Sequence, residues 1–286
     1  MKLIFFGAGY TSSYILPILD CDLEIICTHN TEVKPNELDK KLKIKRVKFS
    51  DFLKNKNEFL MNSTHILNSI PPINQEDLVY NLFKDANEST IQNLKWLGYL
   101  SSTSVYGNHF GNWVDEKTIT KPTTKRGKIR KKVEDSFLRL YKKNSIPVHI
   151  FRLPGIYGPG RSALDKLQNG NKNVVVKAKQ FFSRIFVEDI ASALALSMER
   201  PTPGEIYNIT DNLPCSSQLV TEFAANLLEV NDLEYISVNS PLINDMTRDF
   251  YKDNKKVSNK KIKKILGWTP KFENYKLGLE KIFKDS

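Results

Sequence analysis

The stretch Leu3-Ile4-Phe5-Phe6-Gly7-Ala8-Gly9-Tyr10-Thr11-Ser12-Ser13 constrains this chain more than any other part of it. An apolar run that meets closely spaced glycines and then a helix-like pattern reads as a first strand turning into a first helix. Gly7 allows the tight turn and Gly9 lets a pyrophosphate approach the backbone. The free N–H groups of Tyr10, Thr11 and Ser12, opening the next helix, offer that anion positive potential. The pattern predicts a dinucleotide site. At its third glycine position stands Ser12, which would hold helix and strand slightly further apart. An ordinary strand-to-helix turn would use the same glycines, so the rest of the chain has to decide.

Downstream, apolar runs alternate with helical periodicity. A second strand over 23–28 ends at Thr28-His29-Asn30. In a dinucleotide fold that end lies over the adenosine ribose, where a carboxylate about 20 residues past the glycines would bind the 2′-hydroxyl of NAD. No carboxylate sits at the strand end, although Glu32 is close; His29 and Lys34 could meet a 2′-phosphate, which tilts the expectation from NAD towards NADP, or both could be solvated loop residues. A third strand over 44–49 is followed by Ser50-Asp51 as a helix cap, with Asp51 near the adenine. A fourth over 65–70 stops at Pro71-Pro72 and puts Asn68, Ser69, Ile70 and Pro71 at the carboxyl edge, where an open parallel sheet holds its ligand. A fifth over 94–100 delivers Ser101 to Gly107 to the same edge.

A helix over 127–143, a sixth strand over 146–151 and strands over 184–187 and 204–210 continue the alternation, with Glu188-Asp189 capping a helix over 190–198. Helices near 218–228 and 257–266 complete the chain. The fold predicted is α/β, a doubly wound parallel sheet with a smaller C-terminal substrate lobe. Residues 1–155, completed by about 184–212, would form the dinucleotide-binding core; 156–183 and 213–286 would form the lobe.

Composition enters as a set of exclusions. With 40% hydrophobic and 26% charged residues the chain has the make-up of a soluble globular protein, and no apolar run approaches the ~20 residues that span a bilayer. The first strand begins almost at Met1, which leaves no room for a signal peptide. Cys21, Cys27 and Cys215 form no metal-like cluster, and their odd number argues against a disulfide framework, so a reducing cytoplasm is expected. The net charge of +11 invites a nucleic-acid reading, but lysine is spread over the whole chain and the aromatics do not interleave with the basic runs 121–132 and 252–264. The expected partner is an anionic small molecule, with neither nucleic acid nor membrane and at most a second copy of the chain as a homodimer.

With these pieces placed, the chain resembles the extended short-chain dehydrogenase/reductases, the NAD-dependent epimerase/dehydratase family, in an atypical bacterial branch labelled YeeZ-like. Six ordered motifs carry the resemblance: Gly7-Ala8-Gly9, Ser102-Thr103-Ser104-Val105-Tyr106-Gly107, Trp113-Val114-Asp115-Glu116, the run from Arg152-Leu153-Pro154-Gly155 to Tyr157-Gly158-Pro159-Gly160, Arg184-Ile185-Phe186-Val187-Glu188-Asp189, and Leu266-Gly267-Trp268-Thr269-Pro270. The family implies a Rossmann sheet with a nicotinamide dinucleotide across its edge and a nucleotide sugar or similar polar anionic metabolite in the C-terminal lobe. By the same likeness Leu153 and Pro154 lie beside the nicotinamide.

The family's catalytic residues carry over only in part. Ser102 occupies the place of the hydroxyl that holds the substrate oxygen. The family's tyrosine and lysine, four apart on one helix face, fall here on Arg126 and Arg130. Arginine stays protonated, so neither can be a general base. Arg130 could hold a ribose or phosphate oxygen and Arg126 an anionic substrate, or both could face solvent at a basic helix start. Substitute proton donors are Tyr106, Tyr157, Asp115, Glu116 and, more weakly, His109. Tyr157, Arg161 and Arg184 are the expected substrate contacts, whereas His65 and His149 read as packed strand residues. A non-catalytic regulator that binds the dinucleotide is the alternative.

Overall fold

Four consecutive apolar residues, Leu3-Ile4-Phe5-Phe6, have no solvent exposure at all, as expected of an inner strand of a parallel sheet covered on both faces. The computed structural model describes residues 2–19, 23–31, 37–84 and 91–285; Cys21, Glu32 and Lys34 lie outside them. The strands are β1 Lys2–Phe6, β2 Glu24–His29, β3 Ile44–Lys48, β4 His65–Asn68, β5 Trp96–Ser102, β6 Trp113–Val114, β7 Val148–Leu153, β8 Gly155–Tyr157, β9 Asn173–Val176, β10 Arg184–Phe186, β11 Ile206–Asn208, β12 Glu234–Ser237 and β13 Lys256–Val257. Seven of them form one sheet in the order β11-β7-β5-β4-β1-β2-β3. β1 pairs in parallel with β2 and β4, β2 with β3, and β4 with β5, in a register that sets Ile4 opposite both Ile26 and Ile66. The order reverses direction beside β1, which defines the topological switch point of a doubly wound, Rossmann-like sheet.

The chain divides into two units of nearly equal length: Met1–Ser101, Ile129–Phe151 and Ile190–Tyr207 form the first, and Ser102–Lys128, Arg152–Asp189 and Asn208–Ser286 the second. The second takes in 102–128, 152–155, 184–189 and 208–212 besides the residues expected in the lobe. Local contacts explain the first of these: the Tyr106 hydroxyl is bonded to Asn208 and that of Thr123 to Asp253. In the first unit Phe6, Phe49, Phe52 and Phe59 pack ring on ring, and Phe137 of the helix Lys125–Asn144 stacks on Tyr99 at 5.0 Å. In the second, Tyr157, Phe186, Phe272, Tyr275 and Leu279 form a separate core. Parallel pairs β8 with β10, β9 with β12 and β6 with β13 trim that unit. Among the described residues no helix is long and apolar enough to cross a membrane.

Several boundaries differ from expectation, each for a local reason. β4 ends at Asn68 because that side chain turns back on the chain, accepting from the Ile70 amide at 3.1 Å and donating to both Asp77 oxygens at 3.0 Å. Asp77 in turn caps the helix Leu78–Phe83. Ser50 and Asp51 do not cap: the helix Phe49–Lys54 starts one residue earlier, behind Lys48. Glu188 and Asp189 lie inside the first turn of the helix Val187–Glu199 rather than before it. Asp189 instead accepts the amides of Lys271 and Phe272 at 2.7 and 3.0 Å.

Candidate functional site

In the first unit the turn after β1 is built around Gly7, whose φ of +77° is the left-handed region that disfavours side chains. A Cβ there would lie 2.8 Å from Cγ1 of Ile70. The Gly7 amide donates to the Thr28 hydroxyl at 3.2 Å and the Ser69 hydroxyl donates to the Gly7 carbonyl at 2.6 Å, so the ends of β2 and β4 clamp the turn from either side. Gly9 is different. A Cβ there would meet nothing nearer than the Gly7 carbonyl oxygen at 3.8 Å, so the chain's own packing does not require a glycine at this position. Ser12 is buried and its hydroxyl donates to the Gly9 carbonyl at 2.5 Å. Tyr10 stacks edge-on against Tyr14, and Thr11 precedes an α-helix of only four residues, Ser12–Ile15, that tightens into a 3-10 turn. The helix dipole expected to meet a pyrophosphate is correspondingly short, and the turn's backbone is the main feature left to do so.

Beside this turn is a cavity of about 160 Å³. Six of the residues expected at the dinucleotide, Gly7, His29, Asn30, Ser69, Ile70 and Pro71, line it, together with Thr28 and Phe49. None of these lining residues is a carboxylate. His29 is held by Nδ1 against the Thr31 carbonyl at 2.5 Å. Several expected contacts lie elsewhere. Asn68 is fully buried and committed to Asp77, and Asp51 pairs on the surface with Lys54 at 2.8 Å. Arg130 turns towards the end of β5, where Nη1 donates to the Leu100 carbonyl at 2.6 Å and the Tyr99 hydroxyl at 3.0 Å.

The second unit holds the remaining expected residues. Ser102 ends β5 and its hydroxyl oxygen accepts from the Ser104 amide at 3.1 Å, which leaves the hydroxyl proton free to donate. Arg126 is exposed. Tyr106 is fully buried, its hydroxyl donating to Oδ1 of Asn208 at 2.8 Å beneath the Arg152 guanidinium, and burial pushes its pKa up to about 12. A phenol so placed packs the interior. Glu116 accepts from the Asn208 amide at 2.8 Å, with its pKa raised by burial. Asp115 caps the turn at Lys117 and Thr118, and His109 rests on the Tyr106 carbonyl. Leu153 is buried at the end of β7 with Pro154 half-buried after it.

The three residues expected at a substrate, Tyr157, Arg161 and Arg184, line one pocket of about 540 Å³, a size suited to a small-molecule ligand. Arg184 is anchored through Nη1 to the Phe182 and Cys215 carbonyls, both at 3.0 Å, and through Nη2 to Ser216 at 3.3 Å. Those acceptors are neutral, so no carboxylate bonded to it cancels its charge. Lys166 adds a third cation, and the pocket's carboxylate, Asp165, is engaged in a capping box with Ser162 at 2.7 and 2.5 Å. Tyr157 points its hydroxyl at the Asn274 carbonyl at 3.4 Å, its pKa raised by burial. Asn169, Asn171, Ser217, Thr221 and Tyr275, also in this wall, were not expected. The Ser162-x-x-Asp165 spacing directly after Gly160-Arg161 was the available sign that a helix and its polar end begin there.

A parallel sheet with a glycine turn at its switch point defines a Rossmann-like fold, and the second unit holds a cationic pocket. A profile of the NAD dependent epimerase/dehydratase family matches residues 76–210. Protein YeeZ of Escherichia coli (strain K12) is 34% identical over 116 residues, 39% of this chain and 38% of YeeZ, so the match spans well under half of that relative. A functionally unknown conserved protein from Silicibacter pomeroyi DSS superposes with a TM-score of 0.88 at 36% identity, covering 100% of this chain and 99% of that one. dTDP-glucose 4,6-dehydratase from Bacillus anthracis str. Ames, solved in complex with NAD, shares the fold at a TM-score of 0.77 and 20% identity over 99% and 96% of the two chains. Residues 76–210 thus carry the likeness to the NAD dependent epimerase/dehydratase family, and the chain over its whole length is similar to the Silicibacter pomeroyi protein.

Proposed function

We propose that this chain binds a nicotinamide dinucleotide at the Gly7 turn and a nucleotide sugar, or a similar polar anionic metabolite, in the pocket of the second unit. On this reading it is an epimerase/dehydratase-type or reductase-type protein that works without the family's tyrosine–lysine pair. The observation that carries the reading is the Gly7–Gly9 turn: Gly7 is required by its own φ and by Ile70, whereas Gly9 is open on the side where a backbone-hugging ligand would need it to be. Gly7, Gly9 and Ser12 would hold the pyrophosphate, Thr28, His29 and Asn30 the adenosine ribose, and Ser69 to Pro71 the face beyond it. With no carboxylate among the described residues that line the cavity, NADP is favoured over NAD. The dinucleotide, when bound, supplies a hydride donor or acceptor. Ser102 orients a substrate oxygen through its free hydroxyl proton, and Arg126 attracts anionic groups without exchanging a proton. A cytoplasmic setting suits both ligands.

A second reading, a dinucleotide-binding regulator without turnover, is favoured by Tyr106 being buried on Asn208 and Arg130 being anchored on β5. Calorimetric titration with NAD, NADH, NADP and NADPH tests the proposal. One form binds tightly to the wild type, and Gly9→Asp, which has room for its side chain, stays folded but loses that binding. A folded protein that binds none of the four sinks both readings. Binding without turnover of any nucleotide sugar selects the regulator.

A further inference from the structure

Two buried carboxylates stand behind the cationic pocket of the second unit. Asp211 is 2% exposed; its amide donates to the Arg184 carbonyl at 2.8 Å, and its Oδ1 accepts from the Leu213 amide at 3.2 Å. Its Oδ2 is buried and has no hydrogen-bond partner. Asp189 is 1% exposed and holds the Lys271 and Phe272 amides described above. The charged and titratable groups acting on Asp211 are Arg184 of β10, which favours its ionisation, and Asp189, which opposes it. Tyr157 of β8 and Cys215 feel Asp211 in turn. On the helix Lys260–Leu266, Lys263 reaches Oδ1 of the neighbouring Asn212 at 2.6 Å.

An unpartnered buried carboxylate oxygen is costly when charged and cheap when protonated. Burial accordingly lifts Asp211 to about 7 and Asp189 to about 6. Arg184 is the element shared by the pocket and the pair: it lines the pocket, while all its anchors are neutral. An ionised Asp211 offsets the field that Arg184 offers to an anion, and a protonated one leaves it whole. Conversely, an anion in the pocket makes a second negative charge nearby harder to hold, and by linkage each uptake promotes the other.

We infer that the pocket takes up its anionic ligand together with one proton, which comes from solvent and is held on the Asp211 carboxylate. The inference rests on the proposed anion-binding role of that pocket and adds how solvent pH governs it. The ligand class that fits is a pyrophosphate diester, whose own charge does not change near neutrality.

The test is calorimetric titration of the full chain with UDP-glucose as the probe, from about pH 6 to about pH 8.5, in paired buffers of different ionisation heat. Affinity should weaken by about tenfold across that range, with uptake of close to one proton per ligand on its alkaline side. In Asp211→Asn the affinity should stay at the acid-side value throughout, with no linked proton. Because that variant could misfold, ligand-difference infrared spectra of the wild type provide a second readout: binding near pH 8 should add a protonated carboxyl band. Binding with flat affinity and no proton uptake overturns the inference and leaves the pocket an anion site. Retained pH dependence in a folded Asp211→Asn overturns the assignment to Asp211. No binding of the probe at any pH overturns the inference and the pocket reading together.

Discussion

The Tyr106 hydroxyl donates to Oδ1 of Asn208 at 2.8 Å across 102 residues of sequence. That bond turns the motif tyrosine nearest Ser102 into an interior strut. Tyr106→Phe should therefore cost about 1–2 kcal/mol of stability, since the buried Asn208 oxygen loses its partner, while dinucleotide affinity stays at the wild-type level. Chemical denaturation and calorimetry on the same preparations check both halves. An unchanged unfolding midpoint with a lost ligand response would return Tyr106 to the list of proton donors.

The glycine turn makes a paired prediction. Gly7→Ala forces a side chain onto φ +77° and against Ile70 at 2.8 Å, so it should destabilise the protein by about 1–2 kcal/mol and deform the adjoining cavity. Gly9→Ala meets no atom closer than 3.8 Å and should leave stability within about 0.5 kcal/mol of wild type while weakening dinucleotide binding. Thermal unfolding with and without NADPH separates the two. Equal destabilisation by both would mean that Gly9 serves the fold and not a ligand.

How far the chain was legible divides along the same line. Local chemistry could be read: Leu3 to Phe6 as a strand, and the turn at Gly7. What depended on distant partners could not. Asn68 looks like an edge residue in sequence, yet Asp77 nine residues on draws its side chain inwards and ends β4 there. Phe49 enters the cavity because its helix begins a residue earlier than its polar successors Ser50 and Asp51 imply. The segment 102–128 looks like part of the first unit in chain order, and its bonds to Asn208 and Asp253 and the pairing of β6 with β13 place it in the second.

Asp211 also predicts how stability responds to pH. Its folded-state value of about 7 lies above the ~3.9 of an unfolded aspartate, so the folded state holds the proton more tightly. The stability this confers is fully present below about pH 4, is lost as pH rises through about 7, and changes no further above that. Asp189, raised to about 6, acts in the same direction. Asp211→Asn keeps an acceptor for the Leu213 amide and carries no charge, so its stability relative to wild type should climb from near zero at about pH 4 to roughly a few kcal/mol at neutrality. Urea unfolding of both proteins over that range measures the difference. A difference that does not vary with pH would show that Asp211 ionises freely in the folded protein.

On the proposed reading Arg130 takes the place of the family's lysine, and its geometry explains why arginine and lysine are not interchangeable there. One nitrogen of its fork reaches both the Leu100 carbonyl and the Tyr99 hydroxyl, with the guanidinium carbon 5.6 Å from the centre of the Tyr99 ring. Lysine brings a single ammonium without a planar face and would have to give up part of this set. Arg130→Lys should lose about 1 kcal/mol of stability, and Arg130→Met more, because neither bond of the guanidinium is then replaced. The informative quantity is the ratio of dinucleotide affinities. If the free arm of the fork holds a ribose or phosphate oxygen, Arg130→Met should weaken NADPH binding by at least about tenfold, the scale of one charge-assisted hydrogen bond, with Arg130→Lys in between. Unchanged affinity in both, alongside the loss of stability, would make Arg130 a structural tie on β5 and strengthen the reading of this chain as a regulator without turnover.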